Sequence, residues 1–222
     1  MVRVGTILFL DCEIIREVPW PDQERMPGVQ YCDGWQDFSG MGISCVGVVE
    51  AKLWSTTQPY GYHGLEIRGV RVFGTGYLDG LPGYLNSHAG VVTFNGLRFD
   101  MPLLAAHGIE LLPETPHLDL AREVWDAAGV DDLTHPRGLG LDALCRANHI
   151  PGKTGHGAEA PRQWQRGEHC RVIDYCLQDC LALIELFRAA RSWGQLTDPR
   201  EPFPAGPRQR IQFDTPFRGV FA

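Results

Sequence analysis

Four bulky apolar residues, Ile7-Leu8-Phe9-Leu10, run directly into Asp11-Cys12-Glu13. An uninterrupted apolar run of this kind reads as a strand, over Val4 to Glu13, buried on both faces. That demands a sheet covered on both sides, so a layered α/β architecture is expected. The strand ends in two carboxylates two positions apart. Side chains at that spacing share one face, and Cys12 between them points the other way. Two like charges on one face at the end of a core strand are expensive unless something neutralises them.

Two further acidic positions carry the same implication. Val91-Val92-Thr93-Phe94 reads as a strand, followed by Asn95-Gly96-Leu97-Arg98-Phe99-Asp100. Gly96 is expected to permit the turn, and Asp100 opens a helix that Gly108 stops. Glu168 to Trp193 is the longest helical pattern, with Val172, Tyr175, Cys176, Asp179, Leu183 and Leu186 along one broad face. Tyr175 and Asp179, one turn apart, share that otherwise apolar face. An aspartate facing the interior must be paired or bound to a cation. Four carboxylates in one site are tolerable around divalent cations, and such a site is suited to cutting phosphodiesters.

The remaining chain reads as Ile43 to Ala51 in a second strand and Arg68 to Phe73 in a third, paired as a hairpin. Leu81 to His88 reads as a short helix, Pro116 to Leu120 as the last core strand, and Leu139 to Asn148 as a helix. Strands first, then strands alternating with helices, imply a mixed central sheet flanked by helices. Sites in such sheets form where strand ends meet helix starts. Val18 to Gly40 reads as an insertion, with a lid, a strand-separating wedge and surface decoration all open as roles. Gly152 to Pro161 reads as a glycine-rich loop. Residues 1–194 form the expected domain, and Gln195 to Ala222, with five prolines, an extended tail in which Arg210 to Phe213 is strand-like. Gln209 to Phe213 only loosely resembles a sliding-clamp peptide; packing on the body or on a second copy is the alternative.

Composition bounds the rest. At 222 residues and 44% hydrophobic, the chain can bury one large core. Asp11 and Glu13 break the N-terminal apolar run, and no stretch is long and apolar enough for a membrane span. A cytoplasmic protein is the expectation. Seven cysteines without a C-x-x-C pair point to buried thiols rather than zinc. Gly152-Lys153-Thr154 lacks the upstream glycine and strand of a phosphate loop, although Lys153, Arg162 and Arg166 are candidates for substrate phosphates. The net charge of −7 argues against tight binding along an extended duplex, but not against gripping a few terminal nucleotides.

Taken together, Leu10-Asp11-Cys12-Glu13, Phe94-Asn95-Gly96-x-x-Phe99-Asp100-x-Pro102-x-Leu104 and Tyr175-x-x-x-Asp179 resemble the motifs of the DEDD 3′–5′ exonucleases, which have the ribonuclease H-like fold. The tyrosine four before the last aspartate is similar to the tyrosine branch; Asp174 stands where the histidine branch has its histidine. Leu141-Asp142-Ala143-Leu144-Cys145 with Ile150-Pro151-Gly152-Lys153 resembles predicted exonucleases related to the proofreading domain of family B DNA polymerases. The resemblance covers Val4 to Trp193. It implies catalytic roles for Asp11, Glu13, Asp100, Tyr175 and Asp179, and two Mg²⁺ or Mn²⁺ ions held by the four carboxylates. Asp11 would bridge both ions, Glu13 and Asp179 would complete the nucleophile-side one, and Asp100 would hold the other, partly through water. Tyr175 would orient the attacking water. Asn95, Phe99 and Cys12 would contact the terminal nucleotide. Ile14 and Ile15 replace threonines common at those positions, so a contact to the terminal sugar is altered. The implied substrate is a nucleic acid 3′ end, DNA before RNA, single-stranded ends preferred, with proofreading or repair as the setting and a polymerase or replication protein as a partner acting in trans. RNA trimming and a catalytically silent scaffold are the competing readings.

Overall fold

The computed structural model describes residues 5–21, 24–55, 63–130, 138–151, 157–200 and 209–213. The initial strand, β1, spans Thr6–Ile14. It is followed by a four-residue helix α1 (Phe38–Met41), the long strands β2 (Ile43–Ser55) and β3 (His63–Gly74), and helix α2 (Leu81–Asn86). Then come β4 (Val91–Thr93), α3 (Asp100–Ala106), β5 (His117–Asp119) and α4 (Leu120–Ala127). The chain continues through α5 (Leu141–Ala147), α6 (Ala160–Gln165), α7 (His169–Trp193), β6 (Gln195–Thr197) and β7 (Arg210–Gln212).

Five strands form one mixed sheet in the order β3-β2-β1-β4-β5. β1 pairs antiparallel with β2 and parallel with β4, so it lies at the centre. Its alternation decides the layering. Ile7 and Phe9 are buried among Leu183, Ile184 and Phe187 of α7 and Val124 and Trp125 of α4. Leu8, Leu10, Cys12 and Ile14 face the opposite layer, with Leu81 and Leu85 of α2 and Leu103 and Leu104 of α3. Both faces of β1 are therefore covered, as the apolar run required. Phe9 and Phe187 meet edge to face at 5.4 Å, docking α7 on the sheet centre.

β1 outruns its parallel neighbour. Its pairing with β4 stops at Phe9↔Val92, while β1 continues to Ile14 against β2. Beyond Thr93 the chain turns away, and one edge of β1 is left beside the turn that leads into α3. Asp11 and Glu13 stand on this stretch of β1, which pairs with β2 alone.

Two elements differ from the sequence expectation. Pro116 to Leu120, read as a strand, is a three-residue strand followed at once by α4, whose Leu120, Ala121, Val124 and Trp125 are buried. Asp119 is the switch: its carboxylate caps the helix by accepting from the Ala121 N–H at 3.1 Å. Residues 195–197 and 210–212, expected in an extended tail, instead pair as an antiparallel hairpin with Leu196 and Ile211 buried in the main core. The Gly194 left-handed cap (φ 65°) ends α7 and turns the chain back to make this possible. Asn148 fastens the hairpin, accepting from the Thr197 N–H at 2.8 Å and donating to its carbonyl at 3.2 Å. With Ile211 buried, its side chain is not available for a clamp-peptide contact. Residues 152–156, which contain the glycine-lysine-threonine sequence, lie outside the described residues. Among the described residues, no helix is long and apolar enough to cross a membrane.

Candidate active site

Asp11 and Glu13 lie on the β1 face that is covered by α7. Tyr175 and Asp179 come from α7 on that same side, and small residues let the helix approach closely. Asp11 pairs across the sheet with Gly47 of β2. A Cβ on Gly47 would come within 2.8 Å of the Cys176 sulfur and 3.5 Å of the Cys176 backbone carbon. Cys176 and Cys180, one turn apart, point into this seam. The Gly47 N–H donates to the Cys176 sulfur at 3.2 Å, and the Cys180 thiol donates to the Gly47 carbonyl at 3.4 Å. All seven cysteines are free thiols, and all but Cys170 are buried.

Close docking brings distant carboxylates together. One oxygen from each of Asp11, Glu13 and Asp179 lies within 4.8 Å of the other two. Glu13 and Asp179 are buried, and Asp11 is half-buried. Tyr175 hydrogen-bonds to Asp179, and burial together with the charges of Asp179, Glu13 and Asp11 pushes its hydroxyl far above the ordinary phenol range. It stays protonated, as a donor.

Asp100 arrives from the other layer, at the first residue of α3, and is not a member of that triad. It lines the same cavity and meets β1 through Cys12, which hydrogen-bonds to it from both side chain and backbone. The Cys12 thiol is thus turned away from the triad, as strand alternation required. Asp100 is 3% exposed, and burial raises its carboxyl from 3.8 to about 7, with the hydrogen bonds from Cys12 pulling down and the charge of Asp119 pushing up. Among the described residues, no donor reaches its buried Oδ1.

The turn that delivers Asp100 differs in detail from expectation. The left-handed residue is Asn95 (φ 65°), not Gly96. Asparagine tolerates that conformation. Gly96 is needed for space, since a Cβ there would overlap the Thr93 hydroxyl. Asp119 clamps the turn: it accepts from the Asn95 N–H at 2.7 Å and the Leu97 N–H at 2.9 Å. Sequence reasoning missed Asp119, although an aspartate directly before the periodic apolar residues of α4 is a helix-cap signal.

These residues line a cavity of about 1070 Å³. Asp11, Cys12, Glu13, Asn95, Phe99, Asp100, Tyr175 and Asp179 all contribute to its wall. Arg98 is a cation in that wall which sequence reasoning passed over. Of the arginines considered for phosphates, Arg162 is paired with Glu17 of the cavity wall and Arg166 with Glu168, each at 3.2 Å. Lys153 lies outside the described residues.

The family model described as RNase_H superfamily matches residues 78–191. The chain belongs to the ribonuclease H superfamily. Its mixed five-stranded sheet flanked by helices is a ribonuclease H-like α/β fold. The match includes Asn95, Phe99, Asp100, Tyr175 and Asp179; Asp11 and Glu13 lie upstream of it. No curated protein matches the chain. Among solved structures, the family B DNA polymerase of the hyperthermophilic archaeon Pyrobaculum calidifontis is similar, with a TM-score of 0.44 and 14% identity over 82% of this chain and 24% of that one. The ribonuclease H-like chain described here thus spans about a quarter of that polymerase.

The donor set suits hard divalent cations. It is all oxygen and strongly anionic, and it includes the undonated Asp100 Oδ1. Those are the properties that Mg²⁺ and Mn²⁺ sites share.

Proposed function

We propose that this chain is a divalent-cation-dependent 3′–5′ exonuclease that hydrolyses the terminal phosphodiester of DNA, preferring single-stranded 3′ ends, in proofreading or repair. One observation carries the reading: carboxylate oxygens from β1 and α7 gather within 4.8 Å in a chain of the ribonuclease H superfamily. A fold gains nothing from packing three like charges together unless a cation sits among them.

Asp11, Glu13 and Asp179 would hold one cation, and Asp100 with Asp11 a second; Mg²⁺ or Mn²⁺ would supply charge neutralisation and a water acidic enough to attack a phosphodiester. The protein's own groups do the positioning. Tyr175, whose hydroxyl donates to Asp179, would accept a hydrogen bond from the attacking water and so orient it. Asn95 and Phe99 line the cavity beside Asp100 and would seat the terminal nucleotide, the phenylalanine by stacking. Cys12 forms the wall behind that nucleotide and holds Asp100.

The test uses 5′-labelled DNA and RNA oligonucleotides, single- and double-stranded, with 3′ ends free or blocked, in Mg²⁺, Mn²⁺ or EDTA. Stepwise shortening of free-ended single-stranded DNA is expected, abolished by EDTA and by Asp11→Ala or Asp179→Ala. Full activity in either variant, or no Mn²⁺ binding by calorimetry, would overturn the reading. The second result favours a scaffold.

A further inference from the structure

The segment between β1 and α1 builds an aromatic row that leads out of the acidic cavity. Phe99, adjacent in sequence to Asp100, meets Trp35 edge to face at 6.5 Å, and Trp35 meets Trp20 at 6.0 Å. All three line the cavity wall. Exposure rises outward: Phe99 is half-buried, Trp35 is 51% exposed and Trp20 56%. Interplanar angles of 67° and 75° mean that the rings meet edge to face, so each contact covers at most one ring face, and the half-exposed indoles keep face area open to a flat ligand.

This row is held in place. Glu17, 5% exposed, pairs with Arg162 of α6 at 3.2 Å, and its carbonyl accepts from the Cys32 N–H at 3.0 Å. Gln165 of α6 accepts from the Gln30 N–H at 2.7 Å and donates to the Ile15 carbonyl at 2.8 Å. Asp37 accepts from the N–H groups of Asp33 and Gly40, each at 2.9 Å, and so closes the turn that carries Trp35. Two large indoles left half in water on a fastened loop are unusual for a surface with no ligand.

We propose that Trp35 and Trp20 are an upstream base-binding subsite, stacking on the unpaired nucleobases that precede the terminal nucleotide; this rests on the exonuclease reading above. Stacking rather than charge points to that occupant. The cavity wall carries Asp11, Glu13, Asp100 and Asp179 against Arg98, with Glu17 paired to Arg162, and the chain's net charge is −7. Phosphate attraction is therefore a weak source of affinity here. Stacking on bases is insensitive to that charge and tolerant of sequence. It also selects unpaired strands, because paired bases hide their faces.

The test is binding of 5′-fluorescein-labelled dT8 followed by anisotropy in EDTA, which prevents cleavage. The same oligomer with abasic sites at the second and third positions from the 3′ end serves as comparison. Wild-type protein is expected to bind the intact oligomer about 5- to 100-fold more tightly than the abasic one. Trp20→Ala/Trp35→Ala protein should lose that difference, and Trp20→Phe/Trp35→Phe should keep most of it. Circular dichroism melts confirm that each variant is folded. Equal binding of intact and abasic oligomers by the wild type, no binding of dT8, or an undiminished difference in the double-alanine variant overturns the subsite and leaves the tryptophans to a protein contact. Base discrimination without cleavage in Mn²⁺ would remove the exonuclease reading alone; cleavage without base discrimination would remove the subsite alone.

Discussion

The Cys176 thiol donates to the backbone carbonyl of Asp11 at 3.3 Å, joining α7 to β1 at the residue that opens the acidic cluster. Gly47, opposite Asp11 on β2, leaves room for this contact. The distance between helix and sheet is thereby set beside the cluster, and with it the separation of Asp179 from Asp11 and Glu13.

Gly47→Ala tests that spacing. The added methyl would crowd the Cys176 sulfur, so the thiol that joins α7 to the Asp11 carbonyl must shift to admit it. A loss of about 1–3 kcal/mol is expected from overpacking. Mn²⁺ affinity measured by calorimetry should fall as well, since the carboxylates separate. Unchanged stability and unchanged metal binding would show that the seam has slack.

Asp100 gives a pH signature. Its folded-state carboxyl is raised to about 7 from 3.8, so the folded chain holds the proton more tightly than the unfolded chain does. Stability in EDTA should therefore fall as pH rises from about 4 through about 7 and level off above that. Asp100→Asn removes the ionisation. It should raise the metal-free Tm at about pH 8, by on the order of 5 °C, and leave the Tm near pH 4 almost unchanged. A variant no more stable than wild type at the higher pH would contradict the burial argument.

Asp119 acts at one remove from the chemistry. It holds the Asn95 and Leu97 N–H groups and caps α4. Asp119→Ala leaves those donors unmet and should destabilise the fold by about 1–3 kcal/mol. KM for single-stranded DNA should rise, because Asn95 and Phe99 are no longer fixed, while Mn²⁺ binding at Asp11, Glu13 and Asp179 persists. Steady-state kinetics beside calorimetry separates the two effects.

Tyr175 isolates positioning from metal binding. Tyr175→Phe keeps the ring and removes the hydroxyl that hydrogen-bonds to Asp179. Turnover is expected to drop by about one to two orders of magnitude with Mn²⁺ affinity nearly unchanged. With Tyr175 acting through a protonated hydroxyl, the ratio of wild-type to variant rate should be the same at about pH 7 and about pH 9. A ratio that changes steeply between them would mean that the phenolate takes part.

The amino-acid sequence alone specified a central strand buried on both faces, the shared face of Asp11 and Glu13, and the shared helix face of Tyr175 and Asp179. Those relationships depend only on strand and helix periodicity, which a chain carries locally. It could not reveal that Asp100 approaches from the opposite layer and meets β1 through Cys12. Nor could it show that Gly47 sets the depth of α7, that Asp119 clamps the Asn95 turn, or that Trp20 and Trp35 line the acidic cavity. Each joins elements far apart in the chain, and only packing fixes such distances. The same reason explains the hairpin of β6 and β7, where Leu196 and Ile211 read as isolated apolar residues until the core beneath them exists.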